Sequence, residues 1–187
     1  MRVALHACCG PCLIEPLDAL AEQHEVVVIY ANPNIQPADE YELRYETLRQ
    51  WADARGLQTV EVSYEPELWE RAVAGVREAP GVRCRRCYAL RLSQAAAEGA
   101  RHGCEALSTT LSVSPYQDAE AIDAAGRVAA AEHGLVWLFE DYRPRYPEAT
   151  RRSREAGMYR QNYCGCLPSK KEADEERARR RAERRRT

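Results

Sequence analysis

The stretch VALHACCGPC, residues 3–12, decides the fold. Its first half, Val3–Ala7, is short and apolar and predicts a buried β-strand. The second half is a cysteine-bearing turn, and the apolar residues after it recur every three to four positions, which predicts an amphipathic helix. Pro16 suits the first turn of that helix, where its missing N–H costs nothing. The apolar helix positions are Leu13, Leu17, Leu20 and Ala21.

The same alternation of strands and helices continues along the chain. Further apolar, β-branched runs predict strands at Val26–Ala31, Leu57–Tyr64, Ala106–Ser112 and Leu135–Glu140. Helical patterns cover Glu67–Val76, Cys84–Ala100 and Gln117–His133, and another places Tyr41, Tyr45, Leu48 and Ala52 on one stripe. Because such alternation builds βαβ units with right-handed crossovers, we predict a doubly wound, mostly parallel five-stranded sheet with strand order 3-2-1-4-5.

Composition limits the class of protein. The chain has 187 residues, of which 45% are hydrophobic and 30% charged, and this length suits a single domain over residues 1–187. No apolar run approaches the ~20 residues of a membrane span, and the first apolar run is too short for a signal peptide. We therefore expect a cytoplasmic protein with no membrane partner, and we exclude collagen-like and low-complexity classes.

Charge divides the chain into an α/β core, residues 1–142, and a basic C-terminal extension, residues 143–187. The extension carries 15 Lys and Arg against 7 Asp and Glu, whereas the core carries 12 against 22. The first part of the extension, 143–163, is aperiodic, and we expect it to pack over one end of the sheet. Ser169-Lys170-Lys171-Glu172 matches a capping box and predicts a charged helix ending in Arg184-Arg185-Arg186. A basic end on an acidic body predicts a polyanion partner, and a solvated helical tail is the equally weighted alternative.

Eight cysteines form three clusters and one isolated residue. Cys8, Cys9 and Cys12 follow the first strand, and Cys84 and Cys87 share one helical face. In a reducing compartment, clustered cysteines are more often metal ligands or catalytic thiols than disulfides. Because ligands bind beyond the carboxyl ends of parallel strands, these two clusters can enclose one four-thiolate centre. Zinc and iron–sulfur clusters both accept four thiolates, and the adjacent Cys8-Cys9 pair favours an iron–sulfur cluster.

The third cluster, Cys164-Gly165-Cys166, is too tight for two ligands of one small tetrahedral site. Its spacing suits a pair that cycles between dithiol and disulfide, and a second metal is the alternative. The isolated Cys104 is interpreted as a core residue. His6 either polarises the metal centre or donates a proton, or it is a hydrogen-bonded core histidine. Residues near the third cluster that offer hydrogen bonds and stacking faces are Tyr159, Gln161, Asn162 and Tyr163.

Polar residues follow the second and fourth predicted strands at the same rim. Asn32-Pro33-Asn34 ends the second strand, and Ser112-Val113-Ser114-Pro115-Tyr116 ends the fourth. Their amide, hydroxyl and phenol groups suit a polyhydroxylated or base-like ligand. Ordinary turn chemistry, in which Pro and Asn stop strands, is the equally weighted alternative.

Several groups of residues, taken in order, resemble one known family. They are His6-Ala7-Cys8-Cys9-Gly10-Pro11-Cys12, Asn32-Pro33-Asn34-Ile35 with Glu40-Tyr41 and Arg44, Cys84 and Cys87-Tyr88 with Arg91-Leu92, Thr109-Thr110-Leu111 with Ser114-Pro115-Tyr116-Gln117, and Tyr163-Cys164-Gly165-Cys166 with Ser169. Together they resemble QueH, the cobalamin-independent epoxyqueuosine reductase family, over about residues 3–172. Ser108 and Cys104 depart from the threonine and the aromatic residue expected there.

This resemblance implies a Rossmann-like sheet related to the nucleotide-hydrolase superfamily and a [4Fe–4S] enzyme. The implied substrate is the anticodon loop of tRNA bearing epoxyqueuosine, from which the epoxide oxygen leaves as water in the last step of queuosine synthesis. The implied roles are cluster ligands for Cys8, Cys9, Cys84 and Cys87, a redox-active pair for Cys164 and Cys166, and an extra iron beside the cluster with Cys12 as its ligand. The implied substrate-binding residues are Asn32, Asn34, Tyr41, Arg44, Arg91, Ser114 and Tyr116.

The reaction sets chemical requirements for the site. Removing an epoxide oxygen needs two electrons, two protons and a Lewis acid or proton donor. The candidate proton donors are the cysteine thiols, Tyr88 and His6, and an electron donor must act as a partner. Two alternatives remain at this point: a zinc-structured tRNA-binding domain without catalysis, and a thiol–disulfide oxidoreductase that uses Cys84 and Cys87.

Overall fold

The computed structural model describes residues 1–185, within which the strands form one five-stranded sheet. The strands are β1 (Arg2–His6), β2 (Glu25–Tyr30), β3 (Gln58–Glu61), β4 (Ala106–Thr109) and β5 (Val136–Trp137). Their order is β3-β2-β1-β4-β5, and every pairing is parallel. The predicted Rossmann-like, doubly wound sheet and its strand order are therefore confirmed.

Seven α-helices within residues 1–185 accompany the sheet. They are α1 (Gly10–Ala21), α2 (Ala38–Asp53), α3 (Pro66–Ala72), α4 (Pro80–Arg101), α5 (Ala119–Glu132), α6 (Tyr146–Glu155) and α7 (Leu167–Arg184). Short 3-10 helices cover Leu111–Val113 and Arg143–Arg145. None of the helices described over residues 1–185 is both long and apolar enough to cross a membrane.

The sheet separates two apolar cores. Successive side chains of a strand point to opposite faces, so β1 contributes Ala4 to a core with α4 and α5 and Leu5 to a core with α1 and α2. Helix α4 approaches β1 closely at Gly99, where an added Cβ would lie 2.5 Å from the Ala4 Cβ. Because helices cover both faces, the central strands are almost continuously apolar and buried.

All five strands end before their apolar runs do, β1 and β2 by one residue and the other three by three residues. The edge strands β3 and β5 have four and two residues, because each has only one neighbour with which to pair. Strand β4 stops at Thr109 instead of Ser112, since the chain turns there into the 3-10 helix Leu111–Val113. Polar residues at the end of β4 therefore lie in a turn at the carboxyl edge of the sheet.

The predicted position of Pro16 is wrong. Helix α1 begins at Gly10, with Pro11 in its first turn, so Pro16 lies in the helix interior. Residue 16 consequently has no N–H to donate to the Cys12 carbonyl one turn earlier. The cysteine-bearing turn and the helix start therefore overlap, which brings Cys12 into the first turn of α1.

The predicted capping box at the start of the last helix is also wrong. Helix α7 begins three residues earlier, with Cys166 instead of Ser169 as its N-cap, so Ser169 lies inside the first turn. The Ser169 hydroxyl donates to the Cys166 carbonyl at 2.7 Å, and Glu172 pairs with Arg83 of α4 at 2.9 Å. The basic C-terminal helix is confirmed to Arg184, whereas its predicted end at Arg186 lies outside the described residues.

Helix α6 lies in the segment that showed no periodic pattern. Its buried residues are Ala149 and Ser153, which are small, so the apolar stripe is too narrow for the helix to be detected from the sequence pattern. The helix is instead fixed by charge, because Arg152 donates to Glu15 at 2.8 Å and to Asp18 at 2.6 Å, both on α1. An ion-paired contact of this kind leaves no hydrophobic period in the sequence.

Candidate functional site

Cys8, Cys9 and Cys12, here called the triad, lie together at the carboxyl end of β1. Cys8 and Cys9 occupy the turn after β1, and Cys12 lies in the first turn of α1. Their sulfurs are all within 4.8 Å of one another, and the Cys8 and Cys9 Sγ atoms are 3.9 Å apart. Thiolates around one tetrahedral metal ion lie about 3.8 Å apart, given metal–sulfur bonds of about 2.3 Å. The triad therefore has a spacing that suits a metal ion or part of a cluster.

The surroundings of the triad stabilise negative charge on Cys8, whereas the pKa of Cys9 is raised to about 12. Contacts with the Cys12 and Cys9 thiols lower the pKa of Cys8, whereas contacts with Cys8 and Cys9 raise the pKa of Cys12. Helix α1 starts beside these thiols without a side-chain cap, so its N-terminal dipole adds to the effect. Because metals bind thiolates rather than thiols, such stabilisation favours metal binding.

Four more cysteines form a second thiol group at the same edge of the sheet. Cys84 and Cys87 lie in the first two turns of α4, and Cys164 and Cys166 lie just before α7. Cys87 and Cys166 share an apolar cluster with Trp69, while Cys164 is exposed. Burial raises the pKa of Cys87 to about 12. Among residues 1–185, none of these sulfurs joins the triad within 4.8 Å.

Arg91 connects the two thiol groups electrostatically. Its side chain is 1% exposed, and its guanidinium interacts with Cys87, Cys8 and Cys164. The guanidinium also donates to the Asn32 Oδ1 at 2.6 Å, and Asn32 donates from Nδ2 to the Ala7 carbonyl at 2.8 Å. A buried cation between two sets of thiols offsets the negative charge that metal-bound thiolates carry.

His6 is fully buried and holds both ring nitrogens in hydrogen bonds. The Ala31 carbonyl at 3.2 Å can only accept, so Nε2 carries the proton and Nδ1 accepts from the Thr109 hydroxyl at 2.9 Å. Burial, together with the charge on Arg91, lowers the pKa of His6 to about 3. The ring is therefore neutral near pH 7 and lies beneath the triad as a hydrogen-bonded core residue.

Buried Arg44 of α2 fixes the chain that carries Cys164. Its Nη1 donates to the Cys164 carbonyl at 2.9 Å and its Nη2 to the Tyr163 carbonyl at 3.2 Å. Its Nε donates to Glu40 at 2.7 Å, and Tyr159 donates to the same carboxylate at 2.7 Å. The Arg44 guanidinium is therefore engaged in hydrogen bonds within the protein, and these bonds position the third cysteine cluster.

Gly165 occupies a position that is strained and crowded for any larger residue. Its φ is +150°, and an added Cβ would lie 2.8 Å from the Asn34 Nδ2. Its carbonyl accepts from the Gln36 backbone N–H at 2.9 Å, which ties the cluster to the chain after β2. Asn34 is 1% exposed, and neither polar atom of its side chain has a protein partner. The Cys164–Cys166 segment thus closes over a buried, unpaired amide.

Two glutamines point amide nitrogens at sulfurs. The Gln117 Nε2 lies 3.4 Å from the Cys164 Sγ, and the Gln117 Oε1 accepts a hydrogen bond from the Tyr88 hydroxyl at 2.6 Å. Gln161 lies 3.0 Å from the Cys9 Sγ through its Nε2. Burial raises the pKa of Tyr88, so its hydroxyl stays protonated and orients Gln117. Each thiol group therefore has one carboxamide donor.

Two tyrosines stand at the rim outside the triad. Tyr116 is 85% exposed, and its ring meets Tyr146 edge-on with 6.5 Å between centroids. Tyr146 also lines a cavity of about 50 Å³ that reaches Cys12 and includes Arg160 and Gln161. Ser114 caps this turn by accepting from the Tyr116 N–H at 3.4 Å. The rim thus presents an open aromatic face beside a narrow passage to the triad.

Sequence comparison assigns this arrangement to a family. The profile described as Epoxyqueuosine reductase QueH matches residues 3–172. The chain belongs to the QueH family. Relatives called epoxyqueuosine reductase QueH include one from Thermotoga maritima, 34% identical over 94% of both chains. Another, from Dehalococcoides mccartyi, is 34% identical over 91% of this chain and 93% of its own. A third, from Haemophilus influenzae, is 31% identical over 92% of this chain and 73% of its own.

Membership of QueH confirms the resemblance drawn from the motifs. It also favours the reductase over the zinc-structured and thiol–disulfide alternatives. Of the predicted substrate-binding residues, Asn32, Tyr41, Arg44 and Arg91 have hydrogen bonds within the protein, with the Tyr41 hydroxyl donating to Glu61 at 2.9 Å. These four therefore act in the described structure as internal supports. Asn34, with its unpaired amide, and exposed Tyr116 retain unused groups.

Sequence reasoning missed residues that shape the QueH site at long range. Arg83 is 2% exposed and makes a two-pronged ion pair with Glu172, at 2.9 Å for both contacts, which docks α7 against α4 beside Cys84. Tyr146 was equally hidden, because a lone tyrosine gives no spacing signal, whereas Gln117 was named in a motif that resembles the family but was given no role. The available signal for Gln117 was its place directly after a predicted rim motif.

Helix α7 neutralises part of its own positive charge. Arg179 and Arg180 both pair with Glu176, and Arg177 pairs with Asp174. Arg177 also donates to the Asn162 carbonyl at 2.8 Å, which ties the helix to the segment before Cys164. From residue 170 onward the helix is largely exposed. Its net charge stays positive, but fewer cations are free than the sequence count indicates.

Proposed function

We propose that this protein is an epoxyqueuosine reductase that acts on tRNA, in the last step of queuosine synthesis. One observation carries the proposal: seven of the eight cysteines gather at the carboxyl edge of the sheet, in two groups linked by the buried cation of Arg91. Cys104, before β4, lies at the opposite edge. Concentrated thiols and a buried cation fit a reductive reaction better than a purely structural site.

The net reaction sets what the site must deliver. The epoxide loses both C–O bonds, gains two electrons and two protons, and leaves an alkene and one water molecule. A dithiol that becomes a disulfide releases two electrons and two protons, so one such pair balances one turnover. An external reductant, not identified by the sequence or the structure, then returns the disulfide to the dithiol.

In this proposal Cys8 and Cys9 with Cys84 and Cys87 hold a [4Fe–4S] cluster, and Cys12 is the ligand of an additional iron. Support comes from the thiol-only donor set, from the close triad, and from Arg91, which interacts with both Cys8 and Cys87. When bound, the cluster supplies electrons singly and an iron with an open position supplies a Lewis acid. The protein holds the thiols in place and excludes water from the buried ones.

Cys164 and Cys166 are the proposed redox pair. One residue separates them, Cys164 is exposed to an incoming partner, and Cys166 is buried against Cys87 and Trp69. The Gln117 Nε2 donates toward the Cys164 sulfur at 3.4 Å and so fixes the direction of that side chain. Neutral His6 has both nitrogens occupied, so we assign proton delivery to the thiols rather than to the imidazole.

The tRNA approaches from the open rim in this proposal. Exposed Tyr116, packed edge-on against Tyr146, offers a face on which an unstacked base can stack. The cations of α6 and α7 supply contacts to the phosphate backbone.

One experiment tests the activity directly. The protein is purified without oxygen, reduced chemically and incubated with tRNA bearing epoxyqueuosine, and the nucleosides are then analysed by mass spectrometry. We expect a product lighter by one oxygen atom, with the rate falling when Tyr116 is changed to Ala and largely kept when it is changed to Phe. Unchanged substrate in the presence of an iron-loaded, reduced protein would contradict the proposal.

A further inference from the structure

The Cys9 sulfur has one close side-chain donor that comes from far along the chain. The Gln161 Nε2 lies 3.0 Å from the Cys9 Sγ, and 152 positions separate the two residues. The other hydroxyl or amide contact to a triad sulfur within residues 1–185 is longer, 3.8 Å between the Thr110 Oγ1 and the Cys8 Sγ. Gln161 is therefore the closest side-chain hydroxyl or amide donor to a triad sulfur, beside the Cys12 backbone N–H that also contacts Cys9.

The orientation of the Gln161 carboxamide follows from the chemistry of its two ends. A thiolate or metal-bound sulfur accepts hydrogen bonds, so the NH₂ group rather than the carbonyl must face Cys9. The carbonyl end is buried and has no protein partner. The Gln161 residue also lines a small cavity together with Cys12 and Tyr146.

The placement of Gln161 is held by its neighbours. Arg160 reaches Thr150 of α6, and Tyr159 donates to Glu40 of α2, so the segment before Gln161 is tied to two helices. Tyr163, two residues later, donates to the Gln36 carbonyl at 2.6 Å. A side chain on a segment fixed at both sides is suited to hold one hydrogen bond in one direction.

We propose that Gln161 is a positioning residue for the metal centre, whose N–H···S hydrogen bond to Cys9 sets the reduction potential and retention of the bound metal. This inference rests on the proposed function, because it takes Cys9 as a metal ligand. An N–H dipole directed at a ligand sulfur stabilises the more negative, reduced form of the centre. Loss of the donor consequently makes the centre harder to reduce. Loss of an outer contact of this kind also weakens metal binding by roughly 10–100-fold.

The test compares variants of two glutamines whose amide groups contact different sulfurs. Gln161→Leu and Gln161→Met remove the donor at similar size, and Gln161→Glu keeps the shape but replaces the N–H by an oxygen. Gln117→Leu is the matched control, since it removes the donor to Cys164, which lies outside the proposed ligand set. Full-length iron-loaded proteins are titrated with a reductant while the visible absorption and the iron content are followed.

We expect a more negative midpoint potential and faster iron loss in all Gln161 variants, with Gln161→Glu shifted furthest because its oxygens repel the sulfur. Gln117→Leu should titrate like the wild type. If one Gln161 variant fails to fold, as judged by circular dichroism, the other two decide. Wild-type potentials in the folded Gln161 variants overturn this inference alone, since the titration does not depend on turnover. A wild-type protein that binds no iron overturns both this inference and the proposed cluster.

Discussion

The triad and the second thiol group are built in different ways. The triad comes from one turn and one helix start, so five consecutive positions of the chain bring its three sulfurs together. The second group joins α4 to a segment about eighty residues later, and buried ions hold the two parts in place. A local motif keeps its geometry by covalent connection, whereas an assembled one depends on the whole fold. The two groups should therefore respond differently to distant substitutions.

Exposure separates the two groups as well. Cys9 is 1% exposed at the base of the triad, while Cys164 is open to solvent at the edge of the second group. A buried set of thiols suits a resident metal, and an exposed thiol beside a buried one suits exchange with an external reductant. The difference fits the proposal that the triad, with Cys84 and Cys87, holds the metal centre and that the exposed Cys164, with Cys166, renews it.

The largest expected effect comes from the triad. Cys9→Ser removes a buried thiol at the centre of the site, so the iron content should fall. Turnover should drop by more than about 100-fold, because removing a proposed ligand should cost more than removing a residue that only contacts a ligand. Iron analysis and the tRNA assay measure this. Cys104→Ser, at the opposite edge of the sheet, is the control and should keep iron and activity. Full iron in Cys9→Ser would remove the triad from the metal site.

A remote substitution should damage the second group through the fold. Arg44→Met removes the donor to two carbonyls and leaves Glu40, only 12% exposed in its side chain, without its cation. We expect a loss of about 3 kcal/mol in unfolding free energy, measured by urea denaturation. The exposed Arg49→Met, one turn later on α2, should change stability by less than ~0.5 kcal/mol. Equal losses in the two variants would show that Arg44 does not brace the Cys164 segment.

A smaller effect is expected at the glycine between the paired cysteines. Gly165→Ala combines a φ of +150° with a Cβ only 2.8 Å from the Asn34 Nδ2, so it should cost about 1–3 kcal/mol and slow turnover. Gly81→Ala in α4, where nothing lies within 4 Å of an added Cβ, should be neutral or stabilising by up to about 1 kcal/mol. Thermal unfolding of the two variants checks the contrast, and a Gly165→Ala protein as stable as the wild type would contradict it.

The smallest effect is expected at the far end of α7. Deleting residues 176–187 removes net positive charge, so the affinity for tRNA should fall. The slope of the logarithm of the binding constant against the logarithm of the salt concentration should become shallower, by roughly 0.7–0.9 for each phosphate that is no longer neutralised. The ion pairs of Arg179 and Arg180 with Glu176 limit the size of this effect. Binding at two salt concentrations measures it. An unchanged slope would make the helix a solvated tail, and the thiol groups should be unaffected in either case.

The sheet was predictable because its signals are local and repeated. Continuous apolar runs such as β2 identify buried parallel strands, and the alternation with helices determines the winding. The cysteine clusters were predictable for the same reason, since spacing within one helix or turn is written in the sequence. Helix α6 was not, because its attachment through Arg152 to α1 is an ion-paired contact without a hydrophobic period.

The roles of single polar residues were not predictable from the sequence. Arg44 and Asn32 lie in motifs that suggest ligand binding, yet their polar atoms are used to hold backbone carbonyls and Arg91. Gln161 contacts a sulfur 152 positions away, and no spacing rule connects the two. Long-range hydrogen bonds depend on how the elements pack, so they become visible only in the folded structure.

The division of labour between the proposed cluster ligands and the proposed redox pair is tested most directly by metal analysis of two double variants. Iron and acid-labile sulfide are measured per chain after anaerobic purification of Cys84→Ser/Cys87→Ser and of Cys164→Ser/Cys166→Ser. We predict that the first variant loses most of its iron and sulfide, while the second retains wild-type amounts and loses only turnover. Full iron and sulfide in the first variant, or loss of both in the second, would contradict this division.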